Sequence, residues 1–194
     1  MEVYFMNYLD HLEKHCGEFT EAFPIEELEQ KNVQILKFQD APFKGTYTIA
    51  SLGLLFHPLQ LEDGSLMHQE LMMSAEQLDV QDEIIFLLWQ LAEYAMRTGN
   101  AFDAAEYYPL PEGIFEKYQF SSVYVTSPVY FDESFCLFET DSNVGGEPDT
   151  VLPVWFVPIF ESEEKYIEKH GADRFEDLLF ETDELVDFNR KPLV

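Results

Sequence analysis

Basic residues are scarce in this chain and almost absent from its middle. Between Lys44 and Lys165 there are two of them, Arg97 and Lys117, against 21 acidic residues. That stretch carries −19 of the formal net charge of −27. Nucleic acids and acidic membranes bind basic patches, so we expect the chain to bind neither. The charge attracts cations and basic proteins instead; solubility alone is the alternative explanation.

Cysteines and long apolar runs are scarce as well. The two cysteines, Cys16 and Cys136, cannot build a disulfide framework. The N-terminus lacks the basic region and apolar run of a signal peptide, and no segment approaches the roughly 20 apolar residues of a membrane span. These features predict a soluble, cytoplasmic protein.

The motifs of common catalytic and cofactor sites are also missing. The sequence has no Gly-x-Ser-x-Gly or Ser-x-x-Lys nucleophile motif, no Walker phosphate loop and no Gly-x-Gly-x-x-Gly. A loop that starts at Asp141 resembles a calcium loop, but Gly145 and Leu152 occupy its fifth and twelfth positions, where carboxylate or amide ligands are needed. We therefore predict no cofactor and no catalytic residue.

One pair of histidines has the spacing of metal ligands. His11 and His15 would share a helix face, with Cys16 beside them. A tetrahedral zinc site needs further ligands, and the remaining histidines and cysteine are isolated in the sequence. We therefore interpret this segment as a surface helix with two ordinary histidines and predict no metal.

The composition is that of a folded protein. Hydrophobic residues make up 46% of the chain and aromatic residues 15%, which a disordered acidic tail would lack. The length of 194 residues suits one domain, and no Pro/Gly/Ser-rich linker divides the chain. We expect residues 1–194 to form a single domain.

Apolar spacing predicts strands and helices that do not alternate regularly. This arrangement favours an α+β fold, with helices packed on a mixed, mostly antiparallel sheet. Two prolines in the last predicted strand, Pro153 and Pro158, place that strand near an edge or an end of the sheet. The predicted strands are 33–38, 46–56, 68–75, 122–131 with an interruption at Pro128, 135–139 and 151–160. The predicted helices are 4–15, one that begins at Asp79 or Gln81 and ends at Gly99, and 161–180, either as one amphipathic helix or as two short ones broken at Gly171. Segments 101–119 and 141–150 are predicted loops.

Two segments carry a family resemblance. The strand Thr46–Leu54, with Gly53 near its end, resembles the "T-x-x-T-x-G-[LM]-S" strand of the suppressor-of-fused domain, with Leu55 in place of the usual serine. The segment Val154–Glu164 looks like that family's closing strand, "P-I-[TY]-x-x-E", and the following helix is broken at a similar His-Gly. The resemblance spans about residues 30–180, which it implies are the core of a SUFU-like fold.

The resemblance also implies a kind of function. Stand-alone bacterial members are similar to immunity proteins or antitoxins that neutralise secreted polymorphic toxins, often nucleases. The animal protein has a second domain for which this chain is too short. The family has no established catalytic residues, and the matching Gly53, Trp155, Pro158 and Gly171 are expected to be structural.

These observations predict a non-catalytic interaction protein that binds and blocks a basic partner, expected to be a cognate toxin. Two alternatives stay open: a carboxylate-based hydrolase or metal-dependent enzyme, and an adaptor that captures an extended peptide by strand addition. The candidate partner-binding residues are the acids of the 139–149 loop and of the C-terminal segment: Glu139, Asp141, Glu147, Asp149, Glu176, Asp177, Asp183 and Glu184.

Overall fold

One large β-sheet carries helices on both of its faces. A computed structural model describes residues 2–139 and 150–194 of the chain. The described residues form five α-helices: α1 (Glu2–Cys16), α2 (Glu26–Glu29), α3 (Gln81–Thr98), α4 (Glu161–His170) and α5 (Ala172–Glu181). They also form ten strands: β1 (Phe19–Phe23), β2 (Gln34–Gln39), β3 (Tyr47–Leu52), β4 (Leu59–Gln60), β5 (Leu66–Met67), β6 (Gln69–Ala75), β7 (Tyr107–Pro109), β8 (Ser122–Thr126), β9 (Phe138–Glu139) and β10 (Thr150–Ile159).

The strand order in the large sheet is β1-β2-β3-β6-β10-β8-β7, with β9 paired to β10. β10 runs parallel to β6, and the other described pairs are antiparallel. β4 and β5 form a separate hairpin. The predicted α+β class with a mixed, mostly antiparallel sheet is therefore confirmed.

Alternate residues of the sheet point into two different apolar layers, as the two-residue period of a strand requires. On β10, Phe156 packs in the layer that α3 covers, whereas Trp155 and Val157 pack in the layer that contains α1 and α5. Trp155 is only 1% exposed, which confirms its expected place in the core.

Helix α3 shows how closely the apolar spacing predicted some elements. Its buried residues recur along one side, from Ile84 to Ala95. It ends at Gly99, whose φ of 74° is left-handed and whose N–H donates to the Ala95 carbonyl. The predicted break of the last helix is also confirmed, since Gly171, with φ 89°, separates α4 from α5.

The predicted edge position of the last strand is wrong, because β10 lies inside the sheet between β6 and β8. Each proline lies where one neighbour is missing. The β6 pairing ends at Trp155, and the Pro158 carbonyl beyond it accepts from Arg190 instead. The β8 pairing begins only at Trp155, after Pro153. Each proline correctly indicated a position where the ladder needs no N–H donor, but such positions also occur inside a sheet where a neighbouring strand ends.

Other boundaries also differ from the predictions. Two strands of the sheet were not predicted: β7 lies in a predicted loop, and β1 lies in a segment for which no strand was predicted. β7 has three residues, too few to show alternation, and four of the five residues of β1 are exposed, so neither has a hydrophobic signature. The strand predicted over 122–131 ends at Thr126, and the one over 46–56 ends at Leu52, before a 3-10 turn.

Within the ranges described, none of the helices is both long and apolar enough to cross a membrane.

Candidate interaction surfaces

The predicted C-terminal acids lie on α5 and the segment that follows it. Asp177, Asp183 and Glu184 are exposed, and Glu176 is partly buried. Tyr124 donates to Glu176 at 3.3 Å from the sheet below. Burial raises the pKa of Glu176, and the charges of Asp173 and Asp177 raise it further although the tyrosine bond opposes them. The carboxylates of α5 are therefore close enough to repel one another.

Of the predicted acids in the 139–149 loop, the structure describes only Glu139. Glu139 is exposed in the short strand β9. Asp141, Glu147 and Asp149 lie outside the described residues. The structure therefore brings the α5 acids together but does not test whether they join the 139–149 loop in one surface.

Few of the acids have a basic partner. Ion pairs join four of the described lysines and arginines to carboxylates: Lys37 to Glu21, Lys117 to Asp79, Lys165 to Glu161, and Arg190 to Glu163. None of the described ion pairs includes a carboxylate of α5 or of the segment after it. Because the chain has 38 acidic residues and 11 basic ones, such pairing leaves most of the negative charge uncompensated.

A cavity that sequence analysis missed lies at the C-terminal end of α3. Its volume is about 430 Å³, and two tyrosines, Tyr94 and Tyr108, contribute to its walls. Three acids also line it: Glu62 from the β4–β5 loop, and Asp103 and Glu106 from the segment before β7. We call it the Tyr94–Tyr108 pocket. Its residues come from three separate parts of the chain, so no local motif signals it.

A second surface combines a free strand edge with an apolar groove. β1 is the end strand of the sheet and pairs only with β2 in the described residues. Beside it, Phe23 and Ile25 line a groove together with Phe86 and Trp89 of α3. Phe86 is 38% exposed. An open edge next to apolar side chains is the geometry that peptides use in strand addition.

The two histidines of α1 are not ordinary surface residues, so that prediction is wrong. His11 is 9% exposed, stacks on Phe135 with ring centroids 5.5 Å apart, and its Nε2 lies 3.1 Å from the Phe135 carbonyl. His15 lies 4.9 Å from His11, ring to ring, and 3.5 Å from Asp132. Burial lowers the pKa of both histidines.

Nothing in the described part of the chain resembles a metal centre: no group of three or more His, Cys, Asp or Glu residues there is placed to hold an ion. The absence of zinc stays a prediction, which elemental analysis of the purified protein tests.

Comparisons with known proteins now identify the family. A search of the curated proteins returns no match. Among solved structures, a SUFU homolog from Neisseria gonorrhoeae FA 1090 matches with a TM-score of 0.70 at 18% identity, covering 100% of this chain and 98% of that one. A chain of the Sufu–Fu complex matches with a TM-score of 0.68 at 14% identity, covering 97% and 91%.

Suppressor of Fused from Drosophila matches with a TM-score of 0.58 at 15% identity; the match covers 82% of this chain but 42% of the fly protein. These likenesses show the fold. The family model of the suppressor of fused protein matches residues 29–191. The chain therefore belongs to the suppressor of fused (SUFU) family.

Proposed function

We propose that this chain is a non-catalytic, cytoplasmic interaction protein that binds and blocks a basic protein. We propose that this partner is a toxin of a polymorphic toxin system. Nucleases are the first class of toxin to test. We propose further that residues 1–194 act as one domain. The observation that supports the proposal most directly is the exposed group of acids on and after α5, none of which takes part in a described ion pair. A related fold has been crystallised in the Sufu–Fu complex, so it serves protein binding in that relative.

The mechanism is electrostatic. A nuclease presents a cationic groove to the phosphates of its substrate. A surface that carries Asp177, Asp183 and Glu184 offers carboxylates to the same groove and accelerates encounter with it. Any single exposed acid contributes little, since exposed charges are screened by solvent and salt. The binding therefore depends on the group.

The first experiment is a pull-down from the source cell at low salt, with the intact protein as bait. We expect one or more strongly basic proteins. If none is recovered, the proposal fails.

The second experiment measures the association rate of that partner as a function of salt. The triple variant Asp177→Lys, Asp183→Lys, Glu184→Lys should associate at least tenfold more slowly at low salt and show a weaker salt dependence. The control variant Glu18→Lys, Glu112→Lys, Glu133→Lys has the same net charge, with the changes at exposed sites elsewhere. Equal rates for the two variants would show that the α5 acids are not the interface.

The free edge of β1 favours a second candidate function, the capture of an extended peptide by strand addition. Peptides selected from a random display library should bind the wild type. They should lose binding to Phe86→Asp, which places a charge in the groove, but keep it for Leu78→Asp, at a side chain that is 65% exposed and does not line the groove. Equal binding to both variants would reject the edge as the site.

A further inference from the structure

The Tyr94–Tyr108 pocket is built on a rigid floor. Gln69 is 2% exposed and holds Phe102 with two hydrogen bonds, donating to its carbonyl at 2.8 Å and accepting from its N–H at 2.9 Å. Glu106 is fixed because its carbonyl accepts from the Val125 N–H of β8 at 2.8 Å. The segment that carries the pocket's acids is therefore anchored at both ends. A pocket that needs no ordering on binding retains more of its interaction energy.

The opposite wall is anchored as well. The Gln60 N–H donates to the Gly99 carbonyl at 2.7 Å, and the Ala101 N–H donates to the Gln60 carbonyl at 2.9 Å. These two bonds tie the β4–β5 hairpin, which carries Glu62, to the end of α3, which carries Tyr94. The backbone segments that carry Glu62 and Tyr94 are therefore held against each other.

Tyr108 lines the pocket together with Tyr94 and Asp103, and its hydroxyl donates to Glu106 at 2.6 Å. Burial raises the pKa of Tyr108, and Glu106, Tyr94 and Asp103 raise it further. No described ion pair includes Glu62, Asp103 or Glu106. The pocket therefore holds uncompensated negative charge between aromatic rings.

This combination selects one chemical class of ligand. Carboxylates bind guanidinium and ammonium groups, and aromatic faces bind the same groups by cation–π attraction. Arg97, which does not line the pocket, lies 5.8 Å from the centroid of the Tyr94 ring, within the distance of cation–π contacts. A volume of about 430 Å³ is within the usual range for small-molecule sites and accommodates an arginine or lysine head group.

We propose that the Tyr94–Tyr108 pocket binds the cationic head of an arginine or lysine side chain that a basic protein partner inserts. This inference rests on the proposed function, since it names what part of the partner is recognised and where. Carboxylates and tyrosines at the mouth of a preformed pocket make an anchor site for one basic residue of the interface.

The pocket is tested without the partner, by titrating the isotope-labelled protein with N-acetyl-arginine methylamide and following backbone amide resonances. We expect saturable shifts at residues 100–108. The neutral analogue N-acetyl-citrulline methylamide, which has nearly the same shape, should give none. Equal shifts with both probes, or no saturable shift with the arginine probe, would overturn the proposal.

Variants assign the binding to the named groups. Asp103→Asn with Glu106→Gln should weaken arginine-probe binding at least tenfold, whereas the control Glu112→Gln with Glu133→Gln removes the same charge elsewhere and should change it less than twofold. Tyr94→Ala should weaken binding at least threefold, and Tyr94→Phe, which keeps the ring, should restore it. If the two double variants weaken probe binding equally, the binding depends only on the net charge of the protein, and the pocket is rejected as a site.

Two further arms separate the possible outcomes. Spermidine presents the same ammonium chemistry as a free metabolite; binding tenfold tighter than that of the arginine probe would assign the pocket to a free polyamine and overturn the side-chain proposal. The pull-down is independent of both probes. A basic partner recovered by a protein whose pocket binds no arginine probe would reject the pocket and leave the proposed function standing. Probe binding without a basic partner would reject the proposed function and, with it, the partner's side chain as the ligand of the pocket.

Discussion

Among the residues that the structure describes, two carboxylates, Glu70 and Glu163, are almost completely buried, and they are stabilised in different ways. Glu70, on β6, is 1% exposed and accepts from the Ser51 hydroxyl and from the N–H groups of Gly53 and Leu55 at 2.6 and 3.0 Å. Gly53 takes a φ of 111°, which serves this turn and is rare for other residues. Burial is the largest influence on Glu70 and raises its pKa to about 7, although the hydrogen bonds oppose it.

Glu163, on α4, is 0% exposed and has a cation instead. Arg190 donates to its two oxygens at 2.7 and 2.9 Å, and the Leu193 N–H donates at 2.9 Å. The guanidinium also donates to the Pro158 carbonyl at 2.7 Å. Glu70 therefore holds the turn at residues 53–55, whereas Glu163 ties the C-terminal segment to the closing strand and helix.

Loss of the cation should have the largest effect. Arg190→Met leaves the Glu163 charge buried without its partner, so we expect a loss of about 3–5 kcal/mol in the free energy of unfolding. Urea denaturation measures it. The double variant Arg190→Met, Glu163→Gln removes the buried charge and should recover part of the loss. If the double variant is no more stable than Arg190→Met, the unpaired charge is not the cause.

The hydrogen bonds of Glu70 should matter next. Glu70→Ala leaves the buried Ser51 hydroxyl and the Gly53 and Leu55 amides without their acceptor, at a cost of about 1–3 kcal/mol for a buried unsatisfied group. Glu70→Gln keeps an acceptor and should lose less. Equal losses for the two variants would mean that Glu70 contributes to the free energy of unfolding through packing and not through hydrogen bonding.

The pH dependence of Glu70 follows from the sign of its shift. Its folded pKa, about 7, lies above the ordinary value of 4.5, so the folded state holds the proton more tightly than the unfolded state. This residue therefore contributes stability that is fully present below about pH 4.5 and is lost as the pH rises toward 7. Relative to Glu70→Gln, the wild type should lose stability across that window in denaturation series at several pH values. A constant difference between the two proteins would refute the shift.

The histidines of α1 should show the opposite sign. The folded pKa of His11 is lowered, so its contribution to stability is present above the ordinary value of 6.5 and is lost as the pH falls through the lower folded value. The protection factors of amides 8–16, which are corrected for the intrinsic pH dependence of amide exchange, should fall on acidification. The variant His11→Gln should reduce this fall, and the control His170→Gln, on α4, should not. Protection factors that do not change with pH would exclude His11 as a buried neutral group.

Loss of an exposed ion pair should have the smallest effect on the free energy of unfolding. Lys165 and Glu161 lie four residues apart on α4, with side chains 65% and 70% exposed. Lys165→Ala should change the free energy of unfolding by about 0.5 kcal/mol or less, because water and salt screen the pair. Urea denaturation measures this as well. A loss comparable to that of Arg190→Met would mean that burial does not determine how much an ion pair contributes to the stability of this protein.

The sequence predicted the elements with strong local patterns. The apolar repeat of α3, the alternation in residues 33–38 that predicted β2, and the glycine between α4 and α5 are local, and the structure has these elements where they were expected. β1 and β7 were missed because short strands at the ends of the sheet lack such a pattern. β10 was misplaced because a proline indicates only that one position needs no N–H donor, and it does not indicate how many strands lie beyond it.

The candidate sites were less predictable than the fold. The acids of α5 were proposed as a site because they are concentrated in one segment of the sequence, and their role in binding stays a prediction. The Tyr94–Tyr108 pocket was not, because Glu62, Tyr94 and Asp103 come from three segments that only the packing of the chain brings together. The role of Glu70 was equally hidden, since nothing in its local sequence distinguishes it from the acids on the surface.

Composition and periodicity by themselves determined that this chain folds, that it is strongly acidic, and that it combines helices with a mixed sheet. These properties follow from local preferences and from a sum of charges, which do not depend on which segments meet. The tertiary structure alone decided which carboxylates are buried, which have a cation and which remain free to bind one. Burial and proximity depend on contacts between residues far apart in the chain, such as Glu163 and Arg190, and no short stretch of sequence encodes them.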